Sequence, residues 1–394
     1  MLQFLAGVLP ILLIISVIVT FHEYGHYSVA RLFKTRIERF SVGFGKPLLT
    51  LKDKSGVEWC LSAIPLGGYV KFAGDENIAS MSPSAEELDA ARQSITAREG
   101  ADAVKDYFHF KPLWQRFLII LAGPVFNFIL AVLIYAGMGL AFGDAYIAPE
   151  VGSVMPNSPA ASAGFQPGDR IVNVNRQQIS SFEDIKQRVV LSANTPMTFV
   201  VERKGQPVTI SVTPIRAVQT SPDGMQHYRG GQIGLAPVQK IVTRPISVIE
   251  ALPYGADKTW QTFSSSLTYI SRIFAGKENG DQISSVVGMA KVTGDYTVKA
   301  AQTKAPLGAK AEFLLGVYLE LIAGISIGVG FLNLLPIPIL DGGHLAFYVY
   351  QGVTKKPVSA GFQNVAFRVA AVLILGLMLF AFWNDINNHF GLGR

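Results

Sequence analysis

Residues 5–26 read LAGVLPILLIISVIVTFHEYGH, and this stretch decides the fold. A helix needs roughly 20 mostly apolar residues to cross the hydrocarbon core of a bilayer. The run up to Phe21 is of that kind, and it passes without a turn signal into His22-Glu23-Tyr24-Gly25-His26. It has no basic leading region, and no small-residue cleavage site follows it, so it reads as a retained span rather than a removed leader. Four residues turn a helix by about 400°, so His22 and His26 project from one face, about 6 Å apart along the axis. Neutral imidazole suits a zinc ion, and a glutamate between two such histidines can act on water as a general base. The bland reading is a polar cap on an interfacial helix end. Against it stands the cost of ionisable groups in lipid, a few kcal/mol each.

Composition agrees with a membrane setting. The 394 residues are 49% hydrophobic and 16% charged, against roughly 25% charged in soluble domains. Cys60 is the sole cysteine, which excludes an internal disulfide and a multi-cysteine metal site. Net charge is 34 − 28 = +6, with no basic run interleaved with aromatics. Nucleic acid is therefore not an expected partner; the lipid bilayer is.

Three further apolar runs follow. The predicted organisation is a first transmembrane helix at 1–30, a cytoplasmic β segment and polar loop at 31–112, and a second span at 113–142. A compact αβ module at 143–232 and an amphipathic linker at 233–312 come next. A third span at 313–344, a cytoplasmic loop at 345–361, a fourth span at 362–386 and a tail at 387–394 complete the chain. Arg31, Lys34, Arg36 and Arg39 after the first span, and Lys355 and Lys356 between the last two, place those loops in the cytoplasm. Residues 143–312 then lie outside; Lys299, Lys304 and Lys310 oppose this, but long translocated segments obey the charge rule poorly.

Within 36–73, short β-like runs alternate with Gly-rich turns, and residues 77–106 are polar and helix-prone. In the module, FVVERKGQPVTISV around Lys204-Gly205 predicts a hairpin, and Ser181 with Asp184 predicts a capped helix. The stretch 245–305, with Trp260, Phe263, Tyr269, Ile270, Ile273 and Phe274, is amphipathic and suits the outer leaflet.

Catalytic zinc needs a third protein ligand and an open position. Asp341, in NLLPIPILDGGH, is the candidate, with His344 as an alternative. Pro336 and Pro338 remove backbone donors and unwind the helix end, and Gly342-Gly343 permit a close backbone approach.

HEYGH together with Asn333-Leu-Leu-Pro336-Ile-Pro338-Ile-Leu-Asp341-Gly342-Gly343 resembles the site-2 protease family of intramembrane zinc metalloproteases. Gly43-Phe44-Gly45, Ile64-Pro65-Leu66-Gly67-Gly68-Tyr69-Val70 and Gly123-Pro124-Val-Phe-Asn127 extend the likeness over most of the chain. The module, from Ser158-Pro159-Ala160-Ala161 through Gly168-Asp169-Arg170-Ile171 to Val174-Asn175, is similar to a PDZ domain, with Arg176 where a turn glycine is common. This extracytoplasmic module, of which the sequence has one copy where the best-known enterobacterial relatives carry two, points to the bacterial branch that includes the regulator of sigma-E protease.

The resemblance implies a multi-pass α-helical membrane protein with four transmembrane helices, a membrane-associated β segment and a PDZ-like α+β domain. It implies one Zn²⁺ per chain on His22, His26 and Asp341, Glu23 as catalytic base, and Asn333 near the substrate. Gly43, Gly45, Gly67 and Gly68 are further candidates for substrate binding. The implied partners are single-span transmembrane proteins, an anti-sigma factor or signal-peptide remnants, in a bacterial inner membrane with the site toward the cytoplasm. Gly123, Pro124 and Asn127 read as helix packing. A non-catalytic scaffold that binds peptides through the PDZ-like module, and a metal transporter, are the competing classes. The scaffold should have lost a ligand or base, and the transporter needs polar residues along several spans.

Overall fold

A computed structural model describes residues 2–74, 85–220, 227–238, 240–276, 280 and 283–389. The chain divides into two compact units, Met1–Ile134 with Met289–Phe380 and Tyr135–Gly288 with Ala381–Arg394. In chain order it runs through α1 (Leu2–Leu32), β1 (Ile37–Lys52), β2 (Glu58–Phe72), α2 (Ala85–Glu99) and α3 (Leu113–Phe142). It continues with β3 (Asp144–Ile147), β4 (Val151–Val154), α4 (Pro159–Ala163), β5 (Arg170–Val174), β6 (Gln177–Gln178) and α5 (Phe182–Val190). Next come β7 (Met197–Arg203), β8 (Gln206–Val212), β9 (Ile215–Thr220), β10 (His227–Gln232), β11 (Leu235–Pro237) and β12 (Ile241–Arg244). Helices α6 (Val248–Phe274), α7 (Val286–Gln302), α8 (Leu307–Leu334), α9 (Asp341–Thr354) and α10 (Ala360–His389) end it.

Among the described residues, α1, α3, α8 and α10 are long and apolar enough to cross a membrane. Their outward faces stay apolar: on α10, Val372 is 70% and Leu379 61% exposed. Such a surface is stable against lipid, not water.

In the first unit, α1 packs Ile11, Ile14 and Ile18 against Leu130 of α3 and Ala290 of α7. Gly25 permits a close crossing, since a Cβ there would lie 2.4 Å from the Ala122 carbonyl oxygen. Helix α1 stops at Lys34, whose φ of 54° is left-handed, and the Lys111 ammonium donates to the freed Phe33 carbonyl at 2.8 Å.

The predicted β segment is one doubled hairpin. Phe40 pairs with both Val70 and Trp59, while Leu51 also pairs with Trp59. The order across this small sheet is thus 68–72, 37–42, 58–62, 47–52. Tyr27 of α1 stacks edge-on against Phe40 at 5.5 Å and Trp59 at 5.1 Å, which fastens the sheet to α1. Each such aromatic pair contributes about 1 kcal/mol beyond its buried area. Helix α2 occupies part of the stretch expected to be helix-prone; residues 77–84 of that stretch lie outside the described residues.

The third span departs from expectation. Helix α8 ends at Leu334 and a new helix, α9, begins at Asp341, so 313–344 is not one helix and 345–361 is not a plain loop. Pro336 and Pro338 lack the N–H groups that would continue the ladder. Short bonds replace it: Ile337 N–H donates to the Leu335 carbonyl and Leu340 N–H to the Ile337 carbonyl. The two glycines pack against this joint, since a Cβ on Gly342 would lie 2.2 Å from the Leu335 oxygen and one on Gly343 2.4 Å from that of Ile337.

The second unit holds a four-stranded sheet of order β6-β5-β7-β8. Its core gathers Val151, Ile171, Val174, Ile185, Val189, Phe199 and Val201. The hairpin at Lys204-Gly205 forms as predicted, with φ of 51° and 79°. Ser181 and Asp184 make a reciprocal capping box on α5. Strand pairing runs past residue 232: β11 pairs with β4 and β12 with β3. The stretch expected to be a linker therefore contributes strands as well as α6 and α7; its residues 277–279 and 281–282, and 390–394 of the expected tail, lie outside the described residues.

Candidate metal centre

Helix periodicity does what the HExxH spacing requires. His22 and His26 lie edge to face with ring centroids 4.8 Å apart, and their Nε2 atoms approach to 3.2 Å. Asp341 opens α9 and turns its carboxylate to the same point, with Oδ2 3.0 Å from His22 Nε2 and 3.6 Å from His26 Nε2. One ligand atom from each of the three lies within 4.8 Å of the others. Both imidazoles are buried, at 7% exposure.

The far sides of the rings are held by α3. His26 Nδ1 donates to the Ile119 carbonyl at 2.9 Å. That nitrogen must carry a hydrogen, so in the neutral ring the Nε2 lone pair points inward. His22 Nδ1 meets the side-chain amide of Asn127 at 3.1 Å. Glu23 stands between the histidines, and its Oε2 accepts the Val70 N–H at 3.1 Å. Val70 sits on the 68–72 edge of the small sheet, so that edge borders the carboxylate.

Two observations test whether a metal fits. Asp341 Oδ2 is buried and makes no hydrogen bond, although both imidazole Nε2 atoms face it. Gly123 leaves open a space that any side chain would fill, since a Cβ there would lie 2.4 Å from His26 Nε2 and 2.8 Å from His22 Cε1. Two imidazole nitrogens and one carboxylate oxygen are a donor set suited to catalytic zinc. The residues fit.

The other candidates are placed as follows. His344, the alternative ligand, lies one turn into α9 against Phe347 and Phe367, with ring centroids 6.5 and 6.1 Å away. Gly43, Gly45 and Gly67 have φ of 85°, 86° and 94° and form the reversals of the doubled hairpin. A Cβ on Gly68 would lie 2.5 Å from the Ser41 oxygen and 3.7 Å from Glu23 Cγ, which puts this glycine beside the site. Asn333 is half-buried in the last turn of α8. In sequence Gly123 and Asn127 read as packing; the signal that separates Asn127 is an amide in the apolar middle of the span.

Four apolar helices long enough to span, an HExxH pair on the first of them and an aspartate converging from the start of α9 define a multi-pass membrane metallohydrolase. The chain belongs to peptidase family M50, the site-2 proteases, whose pattern matches residues 10–377. It is 46% identical over 390 residues to Metalloprotease MmpA of Caulobacter vibrioides, covering 99% of this chain and 97% of that one. Relatives named as zinc metalloproteases include one from Agrobacterium fabrum, 38% identical over 98% of each chain. Another, from Mesorhizobium japonicum, is 37% identical over 98% of this chain and 99% of its own. The chain is a metalloprotease with a zinc cofactor.

Proposed function

We propose that this protein cleaves single-span membrane proteins inside the bilayer of a bacterial inner membrane. The observation that carries the reading is the convergence of Asp341, at the start of α9, on His22 and His26 of α1, a helix apolar enough to span, with Glu23 between the histidines. His22, His26 and Asp341 are the zinc ligands. Zinc held there supplies Lewis acidity to the scissile carbonyl and makes water more acidic. Glu23 takes the proton of the attacking water and passes it to the leaving amine. The Val70 N–H donates to Glu23 Oε2 and holds the carboxylate in place.

A spanning substrate is helical, because lipid offers its backbone no partners. Its scissile bond must be unwound, and an edge strand can take over the freed hydrogen bonds. The 68–72 edge beside Glu23 is that strand in this reading, with Gly43, Gly45, Gly67 and Gly68 shaping its turns and Asn333 approaching from α8. Arg31, Lys34, Lys355 and Lys356 support a site that faces the cytoplasm. The second unit is then periplasmic and PDZ-like, and α6, with Ile249 90% and Trp260 62% exposed, lies on the outer leaflet. The substrates are anti-sigma factors or signal-peptide remnants. A scaffold is disfavoured because no ligand or base is missing.

The test is Glu23→Gln in purified full-length enzyme with a single-span substrate. Zinc stays bound and cleavage drops by at least about 10²–10⁴-fold, the contribution of a general base. Cleavage at the wild-type rate overturns the mechanism.

A further inference from the structure

We infer that Asn127 is a positioning residue that hydrogen-bonds His22 Nδ1 and, with its amide oxygen turned to that nitrogen, leaves Nε2 free to ligate; this rests on the reading of His22 as a zinc ligand. Asn127 is fully buried, at 0% exposure, in an apolar stretch of α3. Its place is clamped by α8: Ser326 Oγ donates to the Asn127 backbone carbonyl at 2.9 Å. A Cβ on Gly330 would lie 3.1 Å from the Asn127 Cβ, so the two helices leave the side chain little room to move away.

As placed, the amide nitrogen faces His22 Nδ1 at 3.1 Å, and the amide oxygen is buried without a partner. The opposite ring nitrogen, Nε2, faces Asp341 Oδ2 at 3.0 Å. A metal ligand must offer a lone pair, so a ligating Nε2 requires the hydrogen on Nδ1. Two donors would then oppose each other across 3.1 Å. A half-turn of the amide removes the conflict: the oxygen that lacks a partner accepts from Nδ1–H. One rotation thus satisfies both buried groups. With the nitrogen inward, the same amide donates to Nδ1 and the hydrogen moves to Nε2, facing Asp341. The two ends of one amide serve the metal-free and metal-loaded rings. A packing role alone does not account for this, since an apolar side chain of similar volume would leave no amide oxygen without a partner.

The experiment measures zinc affinity by chelator competition, and the visible spectrum of the cobalt-substituted form, in full-length protein in detergent. The variants are Asn127→Leu, Asn127→Asp and His22→Ala, each checked for a wild-type melting transition, with Asn127→Ala in reserve if Leu does not fold. Leu or Ala lowers affinity by about 10- to 100-fold, the usual effect of losing a ligand's hydrogen-bond partner, and changes the cobalt spectrum. Asp, whose carboxylate accepts from Nδ1–H, keeps both near wild type. Wild-type affinity and spectrum in Asn127→Leu, or an Asp variant as weak as Leu, overturns the inference. If His22→Ala loses zinc while Asn127→Leu keeps it, this inference alone fails. If His22→Ala also keeps zinc, the ligand assignment fails with it.

Discussion

The distance between an imidazole and a glycine on a neighbouring helix sets the room at the centre. A methyl group at position 123 would meet His26 Nε2 at 2.4 Å, and the nearest atoms are ring atoms that cannot yield without losing their own bonds. Gly123→Ala is therefore expected to leave a folded protein that holds little zinc and whose activity falls at least about 100-fold, checked by metal analysis and a cleavage assay. Asp341→Ala should lose the ion outright, because its Oδ2 is the one carboxylate oxygen facing both Nε2 atoms. Metal retained at wild-type stoichiometry in both variants would place the ion elsewhere. Arg203 presents a different balance in the second unit. Burial pushes the Asp169 carboxyl up, but the Arg203 guanidinium and the Gln166 N–H outweigh it and hold the group below its usual range. A carboxyl depressed on folding adds stability above its unfolded value, about 4, and that stability is lost as pH falls below it. Arg203→Ala leaves the 1%-exposed Asp169 side chain with the Gln166 N–H but no countercharge. It should cost this unit about 3 kcal/mol at neutral pH, read by hydrogen exchange in β7.

At the level of elements, what was legible followed local rules. The HExxH face, the capping box at Ser181 and the Lys204-Gly205 turn are each written within a few residues, and each forms. What was not legible needed partners far away in sequence. Pro336 and Pro338 announce an interruption, but only the packing of Gly342 and Gly343 on residues 335–337 shows that a second helix restarts at Asp341. The doubling of β1 was hidden because its pairing depends on reversals at Gly43 and Gly67, not on alternation alone. In sequence Asn127 reads as packing; only the fold brings His22, 105 positions away, beside it. The turn at Asn175-Arg176 carries a testable cost. Both residues are left-handed, with φ of 49° and 65°, between paired Val174 and Gln177. Glycine adopts that conformation freely, so Arg176→Gly should stabilise the unit by about 1 kcal/mol, seen as slower exchange in β5. A destabilised β5 would mean that the Arg176 side chain contributes more than its backbone costs.

At the scale of the whole chain, the proposed orientation can be tested without activity. Lys204 and Lys355 are both exposed, one in the second unit and one after α9. In a Cys60→Ser background, an impermeant maleimide added to spheroplasts should label the Lys204→Cys variant and spare Lys355→Cys until the membrane is opened. The reverse pattern inverts the topology and puts the centre on the other face. The six-residue joint between α8 and α9 has one more consequence. Because the carboxylate rides on the first residue of a helix whose start is wedged by glycines, its bearing depends on a count, not on composition. Adding a single alanine within 336–340 would lengthen the joint by up to about 3.5 Å and carry Asp341 away from its partners. Hydrophobic swaps that keep the number of residues there would be absorbed. That short bridge works as a ruler: it tolerates changes of side chain and fails with a change of length.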